Sequence, residues 1–194
     1  MKLEEPLDDL FARGSHIRVL RALDALPSGV GVSGRELARR ARVSPPTARE
    51  ALASLVTQGV VRVARSLKTA SYRLNSEHVL AGPIRELFER ERSIRRDLER
   101  EVTAALGKLD GVEAGYIFGS AARGDMLPAS DIDVAVVSAK PLPEEFPQLE
   151  TIFRRYGNRV NVTRLPQRTG RGLRERVRIE GKSLPLSRSR RRRA

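Results

Sequence analysis

The hydrophobic pattern of the chain changes once, at Val112. Upstream of Val112 most apolar residues recur three or four positions apart, which is the spacing of helices with one buried face. Downstream, short apolar runs alternate with amphipathic segments, as in folds that alternate strands and helices. Residues 83–110 lie between these regions and carry their apolar side chains on one helical stripe. The pattern predicts an α+β chain of two domains at 1–82 and 111–184, joined by a linking helix at 83–110.

Charge and cysteine content limit the partners and the compartment. The formal net charge is +13, and both ends of the chain are basic whereas residues 83–110 are neutral. Such a balance indicates a polyanionic partner, nucleic acid first, although an arginine-rich coding bias would also produce it. The chain has no cysteine, and its first residues are acidic where a secretory signal is basic and then apolar. We therefore expect a cytoplasmic protein without disulfides or a membrane span, with a disordered arginine-rich tail at 185–194.

Helix caps predict a helix-turn-helix in the first domain. An amphipathic helix over 16–26 is followed by Ser33, which begins a helix over 34–42 with a capping-box glutamate three residues later. Ser44 then precedes two prolines, which suit the first turn of a helix because an N–H group has no partner there. A second helix is therefore predicted over 45–58, and two short strands follow on either side of a basic hairpin tip.

The second of these helices and the hairpin tip are the candidate DNA contacts. A helix with a small polar N-terminus fits the major groove, and its exposed side here carries an arginine that suits guanine or phosphate. The hairpin tip carries two further basic residues, which suit an adjacent groove or the DNA backbone. The predicted DNA contacts are Ser44, Pro45, Thr47 and Arg49 on the helix and Arg65 and Lys68 at the hairpin tip.

Residues 14–76 resemble the winged helix-turn-helix of bacterial transcriptional regulators in the broad arsenic-repressor and multiple-antibiotic-resistance-regulator class. The resemblance rests on Glu36-Leu37-Ala38, Val43-Ser44-Pro45-Pro46-Thr47-Ala48 and Gly59-Val60-Val61. It implies that the chain binds double-stranded DNA, with a homodimer that reads two half-sites. A winged helix that only contacts protein is the alternative. The linking helix likewise fits either a spacer packed on its own chain or a dimer seam.

The second domain carries paired aspartates after a strand that ends in glycine and serine. The backbone N–H groups of Gly119-Ser120 allow a phosphate to approach closely. Asp131 and Asp133 are two positions apart on the next strand, so both carboxylates face the same side of the sheet. Carboxylates this close favour a cation between them, and hard oxygen ligands together with substrate phosphates select Mg²⁺. Arg123 lies where it would neutralise further phosphate charge.

Residues 112–182 resemble the minimal nucleotidyltransferase family, within the DNA polymerase beta superfamily. The signature is Gly119-Ser120, Ala122-Arg123-Gly124-Asp125 and Asp131-Ile132-Asp133. The resemblance implies a short mixed sheet flanked by helices, two divalent ions, and transfer of a nucleoside monophosphate from a nucleoside triphosphate. The implied site residues are Asp131 and Asp133 for catalysis and metal binding, and Gly119, Ser120 and Arg123 for nucleotide binding.

One position departs from this family's pattern. The resemblance implies a third carboxylate on the strand over 159–165, where alternation places Asn161. An amide carries no charge and accepts no proton at neutral pH. The carboxylate that would bind a second metal ion and help to deprotonate the attacking hydroxyl is therefore missing. Glu150, on the preceding helix, is the candidate substitute, and a shifted strand register would place another residue at this position.

Three functions fit these residues. The first is a DNA-binding transcriptional regulator whose C-terminal domain binds a magnesium nucleotide, with catalysis weakened at Asn161. The second is an active nucleotidyltransferase that modifies a protein or a nucleic-acid acceptor, a family in which minimal members often act as antitoxins on a partner toxin. The third is a scaffold without ligand or catalysis, which the intact glycine, serine and aspartate set disfavours. Asp125 fits either a loop cap or a catalytic role.

Overall fold

The protein has the predicted α+β architecture of two units, Met1–Arg92 and Ser93–Ala194. The division falls inside one long helix, so each unit contains a part of that helix. No helix within the described ranges is long and apolar enough to cross a membrane. The predicted contact Lys68, and the predicted tail from residue 187 onward, lie outside the described residues. The computed structural model describes residues 5–66, 69–128, 130–165 and 171–186.

The first unit packs helices against a small antiparallel sheet. Ser33 Oγ accepts a hydrogen bond from the Glu36 amide at 3.2 Å, and Ser44 Oγ accepts one from the Thr47 amide at 3.3 Å. Both predicted N-caps are thereby confirmed. Its elements are α1 (Pro6–Leu10), α2 (Gly14–Asp24), β1 (Val32–Ser33), α3 (Gly34–Ala41), α4 (Pro45–Thr57), β2 (Val61–Arg65), β3 (Ala70–Leu74) and the first part of α5 (Ala81–Leu106). The strand order is β1-β3-β2.

The core of the first unit is mainly aliphatic, in keeping with an aromatic content of 4%. Apolar faces of α2, α3 and α4 meet beneath the sheet, and the predicted buried side of α4 is confirmed. This packing fixes α4 from behind and leaves its other side to solvent. Fully buried members of the core include Val19, Leu20, Leu37, Leu52, Leu55 and Val60.

The long helix α5 does not carry one continuous apolar stripe. Ile84 and Phe88 pack in the core of the first unit, and Val102 packs in the core of the second. Leu87 and Ile94, predicted to share that stripe, are 54% and 46% exposed. At about 100° per residue these two positions lie roughly 60–80° to one side of Ile84, which turns them away from the buried face. The proposed dimer seam on this helix stays a prediction.

The second unit is built on a mixed sheet of order β6-β5-β4-β7, as the resemblance implied. Strands β5 and β6 are parallel, and β4 pairs antiparallel with both β5 and β7. The residue pattern also predicts a helix over 144–156, but the helix that carries Glu150 begins only at Pro147, and β7 had no prediction. Its elements are the rest of α5, β4 (Val112–Phe118), α6 (Gly119–Arg123), β5 (Ile132–Ser138), α7 (Pro147–Tyr156), β6 (Val160–Leu165), α8 (Arg171–Glu180) and β7 (Lys182–Leu184).

The two faces of this sheet have different coverings. Ile132 and Val134 of β5 point to the face that packs against α5 and α7. Ala135 points to the other face, where Val177 of α8 packs beside the end of β4. Because side chains alternate along a strand, Asp133 shares the face of Ala135. The start of β5 therefore presents its carboxylate on the face opposite to α7.

Candidate functional site

The N-terminal turn of α4 carries the predicted helical DNA contacts. Ser44, Pro45 and Arg49 are exposed, and Thr47 is half-buried. The Ser44 and Thr47 hydroxyls lie 2.7 Å apart and share a hydrogen bond, which holds both side chains at the helix start. Arg49 has no hydrogen-bond or ion-pair partner in the part of the chain that the structure describes. Its guanidinium is therefore available for a phosphate or a base edge.

Arg13 lies beside this surface and had no prediction. Its guanidinium forms an ion pair with Glu50, and the two side chains are 61% and 63% exposed. Glu50 directly follows Arg49 on α4, so its uncompensated carboxylate would repel a nearby phosphate. The pair joins the start of α2 to α4 over 37 positions, a separation at which no local pattern signals a contact.

The β2–β3 hairpin forms the predicted wing. Arg65 is exposed, ends β2 and pairs with Ala70. The Ser66 amide donates to the Thr69 carbonyl oxygen at 2.9 Å, and the two hydroxyls lie 2.8 Å apart. This closure places Arg65 at the base of the hairpin tip, with its side chain exposed. The contact predicted for Lys68 falls outside the described residues.

The strand end at Gly119 depends on the absence of a side chain. Phe118 ends β4 and pairs with Asp133 of β5. Gly119 has a φ of +69°, and a Cβ added to it would lie 2.9 Å from Asp133 Oδ2. Glycine thus lets the backbone at the start of α6 lie directly against the carboxylate. Ser120 follows, half-buried, and its hydroxyl has no partner within the described ranges, so it is free to bind a ligand oxygen.

Asp131, Asp133 and Asn161 come together where the parallel strands β5 and β6 begin. The sheet register pairs Asp133 with Asn161. Asn161 Nδ2 donates a hydrogen bond to Asp131 Oδ2 at 3.0 Å. Asp131 and Asn161 are exposed, whereas Asp133 is half-buried. The register therefore places an amide, and not a neighbouring residue of β6, beside the two carboxylates.

These donors fit one hard divalent cation. Asp131 and Asp133 supply two carboxylates, and Mg²⁺ commonly takes one or two, with water and substrate phosphates at its other positions. In the described residues there is no group of three His, Cys, Asp or Glu side chains that would hold a metal ion by itself. Glu150, the candidate substitute for the third acid, belongs to α7 on the opposite face of the sheet. It does not reach the aspartates.

Arg123, predicted to face a phosphate, is bound to two carboxylates. Its Nε donates to Asp125 Oδ2 at 3.1 Å and its Nη1 donates to Glu180 Oε2 at 2.8 Å. Both hydrogen bonds raise the pKa of the guanidinium and compensate its charge. Asp125 is thus a partner of Arg123 and lies at the end of α6. Glu180 had no prediction, because it lies 57 positions away on α8.

A half-buried carboxylate on α5, that of Glu99, positions the short helix α6. Lys182 donates to both oxygens of Glu99, at 2.8 and 2.7 Å, and Arg95 donates to the same carboxylate at 3.1 Å. Burial raises the pKa of Glu99, but these hydrogen bonds outweigh it and leave the pKa below its ordinary value. Arg95 also donates to the Ala122 carbonyl oxygen at 3.1 Å. The network therefore ties the end of α6 to α5 and β7.

Solved structures show only weak likeness, and no curated protein matches the chain. A toxin–antitoxin crystal structure with AMP-PNP is 21% identical over 46% of this chain and 74% of its own, with a TM-score of 0.39. The structure of the tri-AMPylated Shewanella oneidensis HEPN toxin in complex with MNT antitoxin is 21% identical over 48% of this chain and 74% of its own, with a TM-score of 0.38. The AntR antimony-specific transcriptional repressor is 20% identical over 49% of this chain and 78% of its own, with a TM-score of 0.38. Scores this low do not establish a shared overall fold.

Two protein-family models match separate parts of the chain. The model of the MarR family matches residues 13–69, which include α2, α3, α4 and β2. The model of the nucleotidyltransferase domain matches residues 99–187, which include the whole mixed sheet and the paired aspartates. The chain therefore combines a MarR-family winged-helix domain with a nucleotidyltransferase domain, as both resemblances implied.

Proposed function

We propose that the chain is a DNA-binding transcriptional regulator whose nucleotidyltransferase domain binds a nucleoside triphosphate with Mg²⁺ and transfers the nucleotide slowly or not at all. One observation carries the proposal: Asn161 stands beside Asp131 and Asp133, where the family's chemistry uses a third carboxylate. Two carboxylates suffice to hold one magnesium ion on a triphosphate, whereas transfer needs a further acid. DNA and nucleoside triphosphate are then the two partners, and the cytoplasm is the compartment that supplies both.

The DNA-binding half of the proposal rests on α4 and the wing. The core holds α4 from behind, and its exposed N-terminal turn presents Arg49 without a competing carboxylate partner among the described residues. A helix presented in this way enters the major groove, while the base of the wing brings Arg65 to the adjacent backbone. A single half-site offers few contacts, so we propose that a homodimer reads two half-sites.

The nucleotide-binding half rests on the start of β5 and the end of β4. Asp131 and Asp133 would hold Mg²⁺, which when bound neutralises charge on the triphosphate. The backbone at Gly119 approaches this point closely, and the free Ser120 hydroxyl is placed to donate to a phosphate oxygen. Asn161 donates to Asp131, so its amide holds this carboxylate in place beside Asp133.

The proposal assigns slow transfer to one missing proton acceptor. An attacking hydroxyl must lose its proton as it bonds to phosphorus, and a carboxylate of the family accepts that proton. The Asn161 amide has no basic oxygen at neutral pH, so it leaves this step to water. Loss of one general base commonly lowers a rate by about 10²–10⁴-fold.

The alternative is an active nucleotidyltransferase that modifies a protein or nucleic-acid acceptor. The intact pair of Asp131 and Asp133 beside Gly119 favours this alternative, because the cation and the triphosphate would still be aligned for transfer. In that case the winged helix would bring the enzyme to its acceptor. Turnover by the native chain separates the two functions.

The proposal is tested by measuring both ligands on one pair of proteins. Arg49→Ala is expected to weaken binding to a duplex enriched from a random-sequence pool by about 5- to 150-fold, since a base or phosphate contact of arginine contributes about 1–3 kcal/mol. Binding of each magnesium nucleoside triphosphate is expected to stay at the native level. Fluorescence anisotropy measures the first affinity and calorimetry measures the second.

Arg96→Ala is the matched control, because it removes an exposed arginine that has no partner among the described residues and lies on α5. It should leave DNA affinity nearly native. Equal loss of DNA and nucleotide binding in Arg49→Ala would contradict the division of labour between the two domains. A native chain that enriches no duplex would contradict the regulator itself.

The Arg13–Glu50 pair gives a second prediction about the DNA surface. Arg13→Ala is expected to weaken binding to the same duplex about fivefold at low salt, because the freed Glu50 carboxylate then repels phosphate with about 1 kcal/mol. Arg13→Ala/Glu50→Gln should regain native affinity, since the repelling charge is gone. A double variant that binds as weakly as Arg13→Ala would show that the arginine itself contacts DNA.

A further inference from the structure

A hollow in the first unit is lined by arginines, and its described lining includes no acidic residue. It lies between α2 and α3 and has a volume of about 610 Å³. Alanines of both helices complete the lining, which leaves space beside the guanidinium groups. Binding sites for small molecules commonly have volumes of about 300–1,000 Å³, so the hollow is large enough for one. The charged lining residues are Arg18, Arg21, Arg40 and Arg42.

Two of these arginines are compensated by neighbouring carboxylates. Arg21 donates to both oxygens of Glu91, at 2.6 and 2.8 Å. Arg40 donates to Glu36 at 2.6 Å. Hydrogen bonds from Arg39 and Arg40 lower the pKa of Glu36 to about 2, so this carboxylate stays ionised at neutral pH. Among the described residues its side chain accepts only from these two arginines, so the return hydrogen bond of the predicted capping box, from the Ser33 amide, is not formed. Arg21 is therefore compensated by its own carboxylate, whereas Arg40 shares Glu36 with Arg39 and is compensated only in part.

Arg18 and Arg42 are not compensated in this way. Both side chains are exposed, and neither has a hydrogen-bond or ion-pair partner in the described ranges of the chain. They approach the hollow from different elements, one from α2 and the other from the end of α3. Two free guanidinium groups thus share a concave surface that carries a net positive charge.

The backbone of Arg42 adds an independent observation. Arg42 caps the C-terminus of α3 in the left-handed region, with φ 53° and ψ 47°. This conformation favours glycine, because a Cβ is crowded there. Glycine would adopt this backbone conformation at a lower cost in free energy. The presence of arginine therefore suggests that its guanidinium group has a function. Ser44, the N-cap of α4, follows two positions later.

We propose that this hollow binds a phosphate group, through the guanidinium groups of Arg18 and Arg42. Guanidinium donors form paired, charge-assisted hydrogen bonds with phosphate oxygens, and two of them from different helices hold a doubly charged group. The phosphate comes either from a small free molecule of the nucleotide or pyrophosphate class or from a DNA backbone. The concave shape favours the small molecule, since a duplex presents a convex surface.

A ligand here would act on the turn that leads into α4. It would bridge α2 to Arg42 and so restrain the short segment that joins Arg42 to the Ser44 cap. Its effect on DNA affinity rests on the proposed function of α4. Phosphate binding itself does not rest on the proposed function of α4, so phosphate binding and DNA affinity are measured separately.

The test titrates inorganic pyrophosphate into the full chain in the presence of EDTA, which removes the cations that the aspartate pair needs to attract it. Arg18→Gln/Arg42→Gln is expected to bind about 10-fold or more weakly than the native chain, because it loses the charge-assisted donors. Arg85→Gln/Arg96→Gln removes two exposed arginines from α5 and should bind as the native chain does. Arg42→Gly should lose affinity while its Tm stays native or rises, because glycine suits the backbone.

The same variants distinguish the two sources of phosphate. For a DNA backbone contact, the slope of log affinity against log salt becomes shallower by about 0.9 in Arg18→Gln/Arg42→Gln, the value for the one phosphate that both guanidinium groups would hold. For a free ligand, pyrophosphate binding falls and the slope stays native. If pyrophosphate binding and the salt slope both match those of Arg85→Gln/Arg96→Gln, the proposal is wrong. Failure of the native chain to bind DNA leaves the pyrophosphate titration decisive.

Discussion

Asn161→Asp is expected to raise nucleotidyl transfer by about 10²–10⁴-fold, the range that one general base commonly contributes. The sheet register already pairs residue 161 with Asp133, and its side chain reaches Asp131 at 3.0 Å. An aspartate here would supply the third carboxylate at a position where no backbone needs to move. Release of pyrophosphate from each nucleoside triphosphate, with Mg²⁺, measures the gain whatever the acceptor is.

Thr163→Asp provides the matched control for this substitution. Thr163 is exposed on the same strand, two positions along and on the same face, where it pairs with Ala135. The Thr163→Asp substitution therefore adds the same negative charge at a position that is too far along the strand to contact Asp131 or Asp133. Equal rates in the two variants would show that the missing carboxylate at residue 161 does not limit transfer. A native rate already as high as that of Asn161→Asp would favour the active enzyme.

Removal of the paired carboxylates has the opposite expected result. Asp131→Asn/Asp133→Asn should reduce binding of magnesium nucleoside triphosphate below detection by calorimetry, because amides keep the shape of the site but no longer attract the cation. The native chain titrated in EDTA should lose binding to a similar extent, since the triphosphate then meets two carboxylates directly.

Asp125→Asn is the control for charge removal in the same region. Asp125 is 60% exposed and pairs with Arg123, so its loss should leave magnesium nucleotide binding near the native level. A larger effect of Asp125→Asn than of the aspartate pair would move the metal site to the end of α6. Native affinity in the aspartate double variant would show that the nucleotide binds elsewhere on the chain.

The parts of the fold that the sequence predicted depend on local interactions. Ser33 and Ser44 cap helices through amides only three positions away, so their identity alone sets where the helices begin. Asp131 and Asp133 share a face because strand geometry alternates every residue. Gly119 ends its strand at a backbone angle that glycine adopts readily. Each of these features is decided by a short segment, so a single sequence is enough to predict it.

The features without a prediction depend on distant partners. Arg123 was expected to face phosphate on grounds of proximity in sequence, yet Glu180 reaches it from 57 positions away. Arg13 likewise meets Glu50 only after the first unit has folded. The exposure of Leu87 has a similar cause. The spacing of apolar residues predicts which side of the helix a side chain lies on, but it does not predict how much of that side is covered by the core.

The hydrogen bond from Asn161 to Asp131 gives the carboxylate pair an internal counter-charge. The N–H group bears partial positive charge, so it offsets part of the repulsion between the two carboxylates when no cation lies between them. Under the proposed function, we therefore expect magnesium to contribute to ligand binding and not to folding. On the same proposal, a cell that is short of magnesium would retain a folded, nucleotide-free form of the protein, which could bind nucleotide again once the ion returned.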